Sequence, residues 1–249
     1  MKKILVILLF VCVPFFMQNL GMASTGNASP GASNSPDDSE YLEDDTPAVL
    51  VADPLSGWNQ AMFTFNDKLY FWVLKPVVKG YKAVLPTPVR QGIQNFFHNL
   101  GGPARGINCF MQGKMNAAAS EMCRFVYDTT FGILGFLDPA KDYPHLNPPE
   151  EDLGLTLARY GVGNGCYLVW PVVGPSTLRD SIGLGGDYFL SPSSYIEPDW
   201  VGWSLKAEEV VNYQSFHIGD YEDLKNAAII PYESIKDAYI QYRNKKITE

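Results

Sequence analysis

Few side chains in this sequence are of the type and spacing that do chemistry. The candidates are three histidines, His98, His145 and His217, a serine between glycine and proline neighbours, Ser176, and a carboxylate run, Glu150-Glu151-Asp152. The histidines lie far apart and none belongs to an H-E-x-x-H pair, so each reads as a structural residue and not as a metal ligand or general base. Ser176 sits in Gly174-Pro-Ser-Thr-Leu178, which is not a G-x-S-x-G elbow, and Pro175 before it suits the start of a helix. Gly161-x-Gly163-x-Gly165 is only superficially a nucleotide loop: the third glycine is misplaced and there is no P-loop lysine, so it reads as a turn. The carboxylate run reads as the solvated N-terminus of a helix, where the backbone dipole favours negative charge. No catalytic residue, metal site or cofactor is expected, and the chain is read as something other than an enzyme.

The elements around these residues are mainly helical, with many breaks and no internal repeat. Asp53 is the expected N-cap and Pro54 the first residue of a helix whose apolar face is Leu55, Trp58, Met62, Phe65 and Leu69, at spacings of three and four. Asn59 and Asn66 lie two turns apart beside that stripe. Lys75-Pro76 is expected to break the run, with a short second helix through Tyr81 and Val84. Val89, Ile93, Phe96, Phe97 and Leu100 mark another helix, stopped by Gly101-Gly102-Pro103. A segment through Ile107, Phe110 and Met111 ends at Gly113, a C-cap candidate. The clearest helix covers 114–130, followed by the apolar, glycine-broken run Phe131 to Leu137. Tyr167 to Trp170 reads as a strand with no obvious partner. The chain closes with helices from about Ser204 to Tyr213 and from Pro231 to Lys246, the latter with Tyr232, Ile235, Ala238, Tyr239 and Tyr242 on one side.

The ends of the chain place it in a compartment. Lys2-Lys3, the apolar run Ile4 to Val13 and the small residues up to Gly21-Met22-Ala23 have the order of a secretory signal peptide over residues 1–23. Its apolar core is shorter than the ~20 residues that a transmembrane helix needs. Cys12 opens the alternative of an acylated lipoprotein N-terminus, although Val11 before it is larger than a lipoprotein peptidase prefers. Residues 24–52, first Ser, Gly, Ala, Asn, Thr and Pro and then acidic, read as a flexible tether, because such a composition buries too little apolar surface to offset its ordering entropy. Residues 53–249 are then one large domain. The formal net charge of −8 lies partly in the tether, and the mildly acidic remainder argues against nucleic acid as a partner. Cys109, Cys123 and Cys166 form no C-x-x-C pair and are odd in number, so they read as buried free thiols, with one bridge as the alternative.

The stretch Asp53-Pro-Leu-Ser-Gly-Trp-Asn-Gln-Ala-Met-Phe-Thr-Phe-Asn-Asp67 resembles the VacJ/MlaA family of outer-membrane phospholipid-transport proteins. The likeness continues through Lys75-Pro76, Pro88 to Leu100, Gln112-Gly113-Lys114, Arg124-Phe125 and Thr129 to Ala140. It is densest at Glu151 to Pro171 and Gly174 to Asp180, covering residues 53–190 closely. The sequence departs from the family at Cys166, where proline is usual, and in its poorly matched lipoprotein cysteine.

The resemblance implies an all-α, single-domain protein, a ring or bundle of amphipathic helices with glycine and proline breaks, on the periplasmic side of the outer membrane of a Gram-negative bacterium. It implies a passive amphipathic channel through which misplaced phospholipids leave the outer leaflet for a soluble periplasmic carrier, with a trimeric porin as a further partner. Trp58, Asn59, Phe65 and Asn66 on the first helix, and Phe131, Ile133, Leu134, Phe136 and Leu137 on a glycine-hinged loop, are the candidates for the lipid path or its gate. Core packing of Phe65 with a hydrogen-bonded Asn66, and a static corner at 131–137, are the rival readings. A porin-binding structural protein without transport activity, and a lipid hydrolase with Ser176 as nucleophile, are the rival functions. No long mature segment is unbroken and apolar enough to span a bilayer, and the many Tyr and Trp suit a membrane interface.

Overall fold

A computed structural model describes residues 51–248, so the expected signal peptide, Cys12 and nearly all of the expected tether lie outside the described residues. Of the tether, residues 51 and 52 are described, and the carbonyl of Ala52 accepts a hydrogen bond from Tyr167 N–H (2.9 Å). The fold is all-α as expected, apart from one two-stranded hairpin.

The first helical rod runs as α1 (Ser56–Leu69), a π-helical turn (Tyr70–Leu74) and α2 (Lys75–Val84) without interruption. Lys75-Pro76 therefore does not break the rod. Pro76 has no N–H to continue the usual ladder, and just before it the register slips, Lys75 N–H donating to the carbonyl of Tyr70, five residues back. Asp53 is not the N-cap, since α1 starts three residues later. Its carboxylate accepts instead from Asn59 Nδ2 (2.7 Å) and from the Tyr232 hydroxyl.

Helix α3 (Thr87–Met111) is another correction: its 25 residues pass straight through Gly101-Gly102-Pro103, giving a rod of about 37 Å. These small residues serve packing. A Cβ at Gly102 would stand 3.3 Å from Phe125 Cβ, and one at Gly106 would stand 3.1 Å from Met122 Sδ, so α4 (Met115–Phe131) lies close against α3. The turn between them is a Schellman motif, with Gly113 at φ 76°, Gly113 N–H bonded to Phe110 O and Lys114 N–H to Cys109 O, which bears out Gly113 as the helix-ending residue.

Beyond two short 3-10 turns come α5 (Leu153–Arg159), capped by Asp152, then β1 (Tyr167–Trp170) and β2 (Gly174–Thr177). β1 does have a partner: it pairs antiparallel with β2, Tyr167 opposite Thr177 and Trp170 opposite Gly174. That partner is Gly-Pro-Ser-Thr, residue types that strands mostly avoid, and the helix expected at Pro175 begins only at Leu178, capped by Thr177. Helices α6 (Leu178–Leu190), α7 (Asp199–Gln214), α8 (Asp220–Ala227) and α9 (Pro231–Thr248) complete the fold; α7 starts five residues earlier than expected. Helices α5 and α6 touch backbone to backbone, with Gly183 so placed that a Cβ would stand 2.4 Å from Gly154 N.

The apolar core is small. One cluster gathers Tyr70, Tyr221 and Ile235, and another gathers Tyr167, Val169, Tyr232, Tyr239 and Ile240. The apolar stripe on α1 is split: Leu55, Trp58 and Phe65 are each nearly half exposed and Met62 packs against the second cluster, while Asn59 and Asn66 are buried. The same inversion holds elsewhere. Arg90, Asn108, Glu121, Asp128, Glu151 and Arg243 are buried, while Trp72, Val84, Phe110, Phe189, Trp200 and Ile229 face outward. Among the described residues no helix is long and apolar enough to cross a membrane.

Candidate functional site

The interior polarity surrounds a cavity of about 510 Å³ whose wall is built by α3, α5, α6, α7 and α9. Each helix contributes side chains one or two turns apart: His98 and Arg105 from α3, Leu184 and Asp187 from α6, Lys206 and Glu209 from α7, and Tyr242, Arg243 and Lys246 from α9. Phe97, Leu155, Val173, Tyr188 and Tyr213 supply apolar surface beside these charges. The wall is thus amphipathic.

Most of its charges are paired. Arg243 is held by Asp152 (2.6 Å) and Asp180 (2.9 Å), and Asp180 also takes Arg179 (2.9 Å) and the Tyr239 hydroxyl (2.8 Å). Burial opposes the charge on Asp180, but the guanidiniums of Arg243 and Arg179 overcome it and hold the carboxyl below its usual range. Arg105 pairs with Glu121 (3.1 Å), Lys114 with Glu151 (2.6 Å) and Lys206 with Glu209 (2.9 Å). Glu150 takes a hydrogen bond from His98 (3.2 Å), which holds its carboxyl below the usual range. Asp187 differs. It accepts Leu153 N–H (3.0 Å) and Asn108 Nδ2 (2.9 Å) but has no cation in ion-pair contact, and burial pushes its carboxyl up to about 6.

Glu150-Glu151-Asp152 is therefore not simply a solvated helix start. Asp152 does cap α5, accepting Leu155 N–H at 2.8 Å, but Glu151 is buried on Lys114 and Gln112, and all three line the cavity. His98 and His217 also line it. The Ser176 hydroxyl is buried on the Thr177 carbonyl and Ser181 Oγ (3.0 Å), with no histidine among those contacts to act as a base.

None of the nine residues singled out from the sequence lines the cavity. Trp58, Asn59 and Asn66 stitch α1 to the hairpin: Trp58 Nε1 donates to Val169 O (3.1 Å), and Asn59 donates to Tyr167 O (3.1 Å) and accepts Val169 N–H (2.7 Å). Asn66 donates to Trp170 O (2.9 Å) and accepts Val172 N–H (2.6 Å). Phe65, between them in sequence, faces outward. The other five form an exposed apolar corner after α4. Gly132 and Gly135 N–H both bond the Asp128 carbonyl, Asn95 donates to Phe136 O (3.2 Å), and the Phe136 ring packs on Phe96 at 5.4 Å. Ile133 and Leu134 sit at φ 54° and 59°, a left-handed conformation costing about 1–3 kcal/mol per residue.

The expectation of buried free thiols holds for Cys109 alone. All three cysteines are free, but Cys123 on α4 is exposed and Cys166 partly so.

The sequence and fold have known counterparts. The profile of the family described as MlaA lipoprotein matches residues 51–246. The intermembrane phospholipid transport system lipoprotein MlaA of Escherichia coli (strain K12) is 35% identical over 195 residues, 76% of each chain. The protein of the same name from Haemophilus influenzae is 30% identical, over 79% of this chain and 80% of that one. A solved chain described under the structural basis for maintenance of bacterial outer membrane lipid asymmetry superposes with a TM-score of 0.70 and 32% identity, covering 79% of this chain and 99% of that one.

Proposed function

The chain belongs to the MlaA lipoprotein family, and from that premise we propose that it is a passive phospholipid conduit at the periplasmic face of a Gram-negative outer membrane. The observation that carries this reading is the inverted distribution of polarity: charges and amides surround the cavity, and large apolar side chains face out. A lipid leaving a bilayer needs a wet lane for its headgroup and apolar surface for its chains, and buried polar groups persist only where they are paired or lined by water. Exposed Trp72, Trp200, Val84 and Ile229 suit an acyl environment without a spanning helix.

In this reading Phe65 and the corner Phe131, Ile133, Leu134, Phe136 and Leu137 belong to the apolar surface beside the path. Asn59 and Asn66, with Trp58, fix the helix that presents Phe65. The relatives' names, which speak of an intermembrane phospholipid transport system, and a solved relative's connection with lipid asymmetry support removal of phospholipid from the outer leaflet. A conduit without an energy source needs an acceptor, so a soluble periplasmic carrier and a trimeric porin belong to the same proposal. A signal peptide, and acylation as in the relatives named lipoproteins, belong to it too; the mass of the mature protein tests both.

The test is the phospholipid exposed on cells lacking the gene, read with an amine-reactive reagent that does not cross the outer membrane. Labelling of phosphatidylethanolamine should rise in the deletion and return to the parental level on complementation. Unchanged labelling would refute transport and leave the porin-binding structural role.

A further inference from the structure

Resting on the reading of the cavity as a headgroup site, we propose that it selects zwitterionic headgroups, those carrying an ammonium beside the phosphodiester, over net-anionic ones. The argument is the residue of charge left after pairing. Arg105 is engaged by Glu121, Lys206 by Glu209, and Arg243 by Asp152 and Asp180. Glu151 is engaged by Lys114. Of the charged groups lining the cavity, those left without an oppositely charged Lys, Arg or carboxylate in ion-pair contact among the described residues are Lys246, Asp187 and Glu150.

Lys246 offers one cation, within electrostatic range of Glu150 but not in contact with it. Asp187 and Glu150 offer two carboxylates, one half-buried without a counter-ion and one held charged by His98. A phosphodiester meets the single ammonium of Lys246. A headgroup that ends there, with a net negative charge, faces two carboxylates with nothing to set against them. A headgroup that adds an ammonium supplies the missing counter-charge. The charges line the cavity wall, so the polar end is the part it reads, with the chains left to the apolar surfaces outside. A unit charge several ångströms from a carboxylate in a partly screened wall changes occupancy by about three- to tenfold.

The experiment uses the full-length purified protein and vesicles of equal parts phosphatidylethanolamine and phosphatidylglycerol with matched acyl chains. After incubation and re-isolation in mild detergent, retained lipid is counted by mass spectrometry. The expected result is about three- to tenfold enrichment of phosphatidylethanolamine. In a second arm phosphatidylcholine replaces phosphatidylethanolamine and is enriched similarly, because the ammonium charge and not its N–H groups carries the selection. Glu150→Gln, at the exposed rim of the cavity, lowers the ratio, and addition of Asp187→Asn brings it near parity. Equal retention or enrichment of phosphatidylglycerol overturns the inference while leaving the cavity a lipid site. No retained lipid of either kind overturns both readings.

Discussion

Replacing Asn59 by alanine is the sharpest test of how this fold is held. Its amide makes three contacts: it accepts Val169 N–H (2.7 Å), donates to Tyr167 O (3.1 Å) and donates to Asp53 Oδ1 (2.7 Å), and the residue is fully buried. The alanine variant leaves Val169 N–H and Tyr167 C=O inside the protein without their partner. Each such orphaned group costs about 1–3 kcal/mol, so a loss of about 3 kcal/mol is expected. For a domain of this size that corresponds to a fall of about 6–12 °C in Tm. Phe65→Ala is the control, because this larger, apolar side chain is 46% exposed and its removal leaves no polar group unpaired. Its expected cost in detergent solution is below about 1 kcal/mol. Asn59→Asp should fare no better than alanine, since it places a second carboxylate against Asp53 in a buried site. Thermal or urea unfolding in one detergent, followed by circular dichroism, gives all three. If Phe65→Ala costs more than Asn59→Ala, the inverted interior is wrong and the apolar stripe is the core after all.

Removing Arg243, for instance as Arg243→Met, strands Asp152 and leaves Asp180 to Arg179 and Tyr239, and should cost about 3–5 kcal/mol in the same unfolding assay; a loss below about 1 kcal/mol would refute its place at the centre of that network. Gly183→Ala sets a methyl group 2.4 Å from the backbone of Gly154 and should destabilise by about 3 kcal/mol or more, read as reduced yield of folded protein and a lowered Tm. Asp187 gives a pH signature. With its carboxyl raised to about 6 from 3.8, the native state keeps a proton that the unfolded chain has released, so its contribution to stability falls as pH rises from about 4 to about 6. Asp187→Asn should remove about 3 kcal/mol of that pH dependence, seen as the difference between the wild-type and variant stability curves; parallel curves would show that Asp187 titrates normally.

Helices with ordinary signals were legible in the sequence: 114–130, the C-terminal helix and Gly113 all stand close to where periodicity and capping put them. The misses share a cause, which is that local punctuation was overridden by tertiary demand. Gly101-Gly102-Pro103 spells a stop, yet α3 needs the small Gly102 there to admit Phe125. Pro76 spells a break, yet a π-turn absorbs it. Gly-Pro-Ser-Thr does not spell a strand, yet β2 lies opposite β1, whose Tyr167 and Val169 backbone groups are met by Trp58, Asn59 and Ala52. The cavity was hidden for a further reason. Its wall draws a few residues from each of several helices, and only the fold brings His98, Asp187, Lys206 and Arg243 together. The one local hint was Glu150-Glu151-Asp152 beside the densest block of family likeness.

The arrangement of apolar side chains outside and amides and ions inside also bears on how stability varies with temperature. Unfolding an ordinary domain uncovers mostly fresh hydrocarbon, which raises the heat capacity, while newly hydrated polar groups lower it. Here much of the hydrocarbon is already outside and the hidden surface is rich in polar groups. The heat-capacity increment should therefore fall below the usual ~12–15 cal/mol/K per residue. The stability curve should be correspondingly shallow, with little loss of folded protein on cooling.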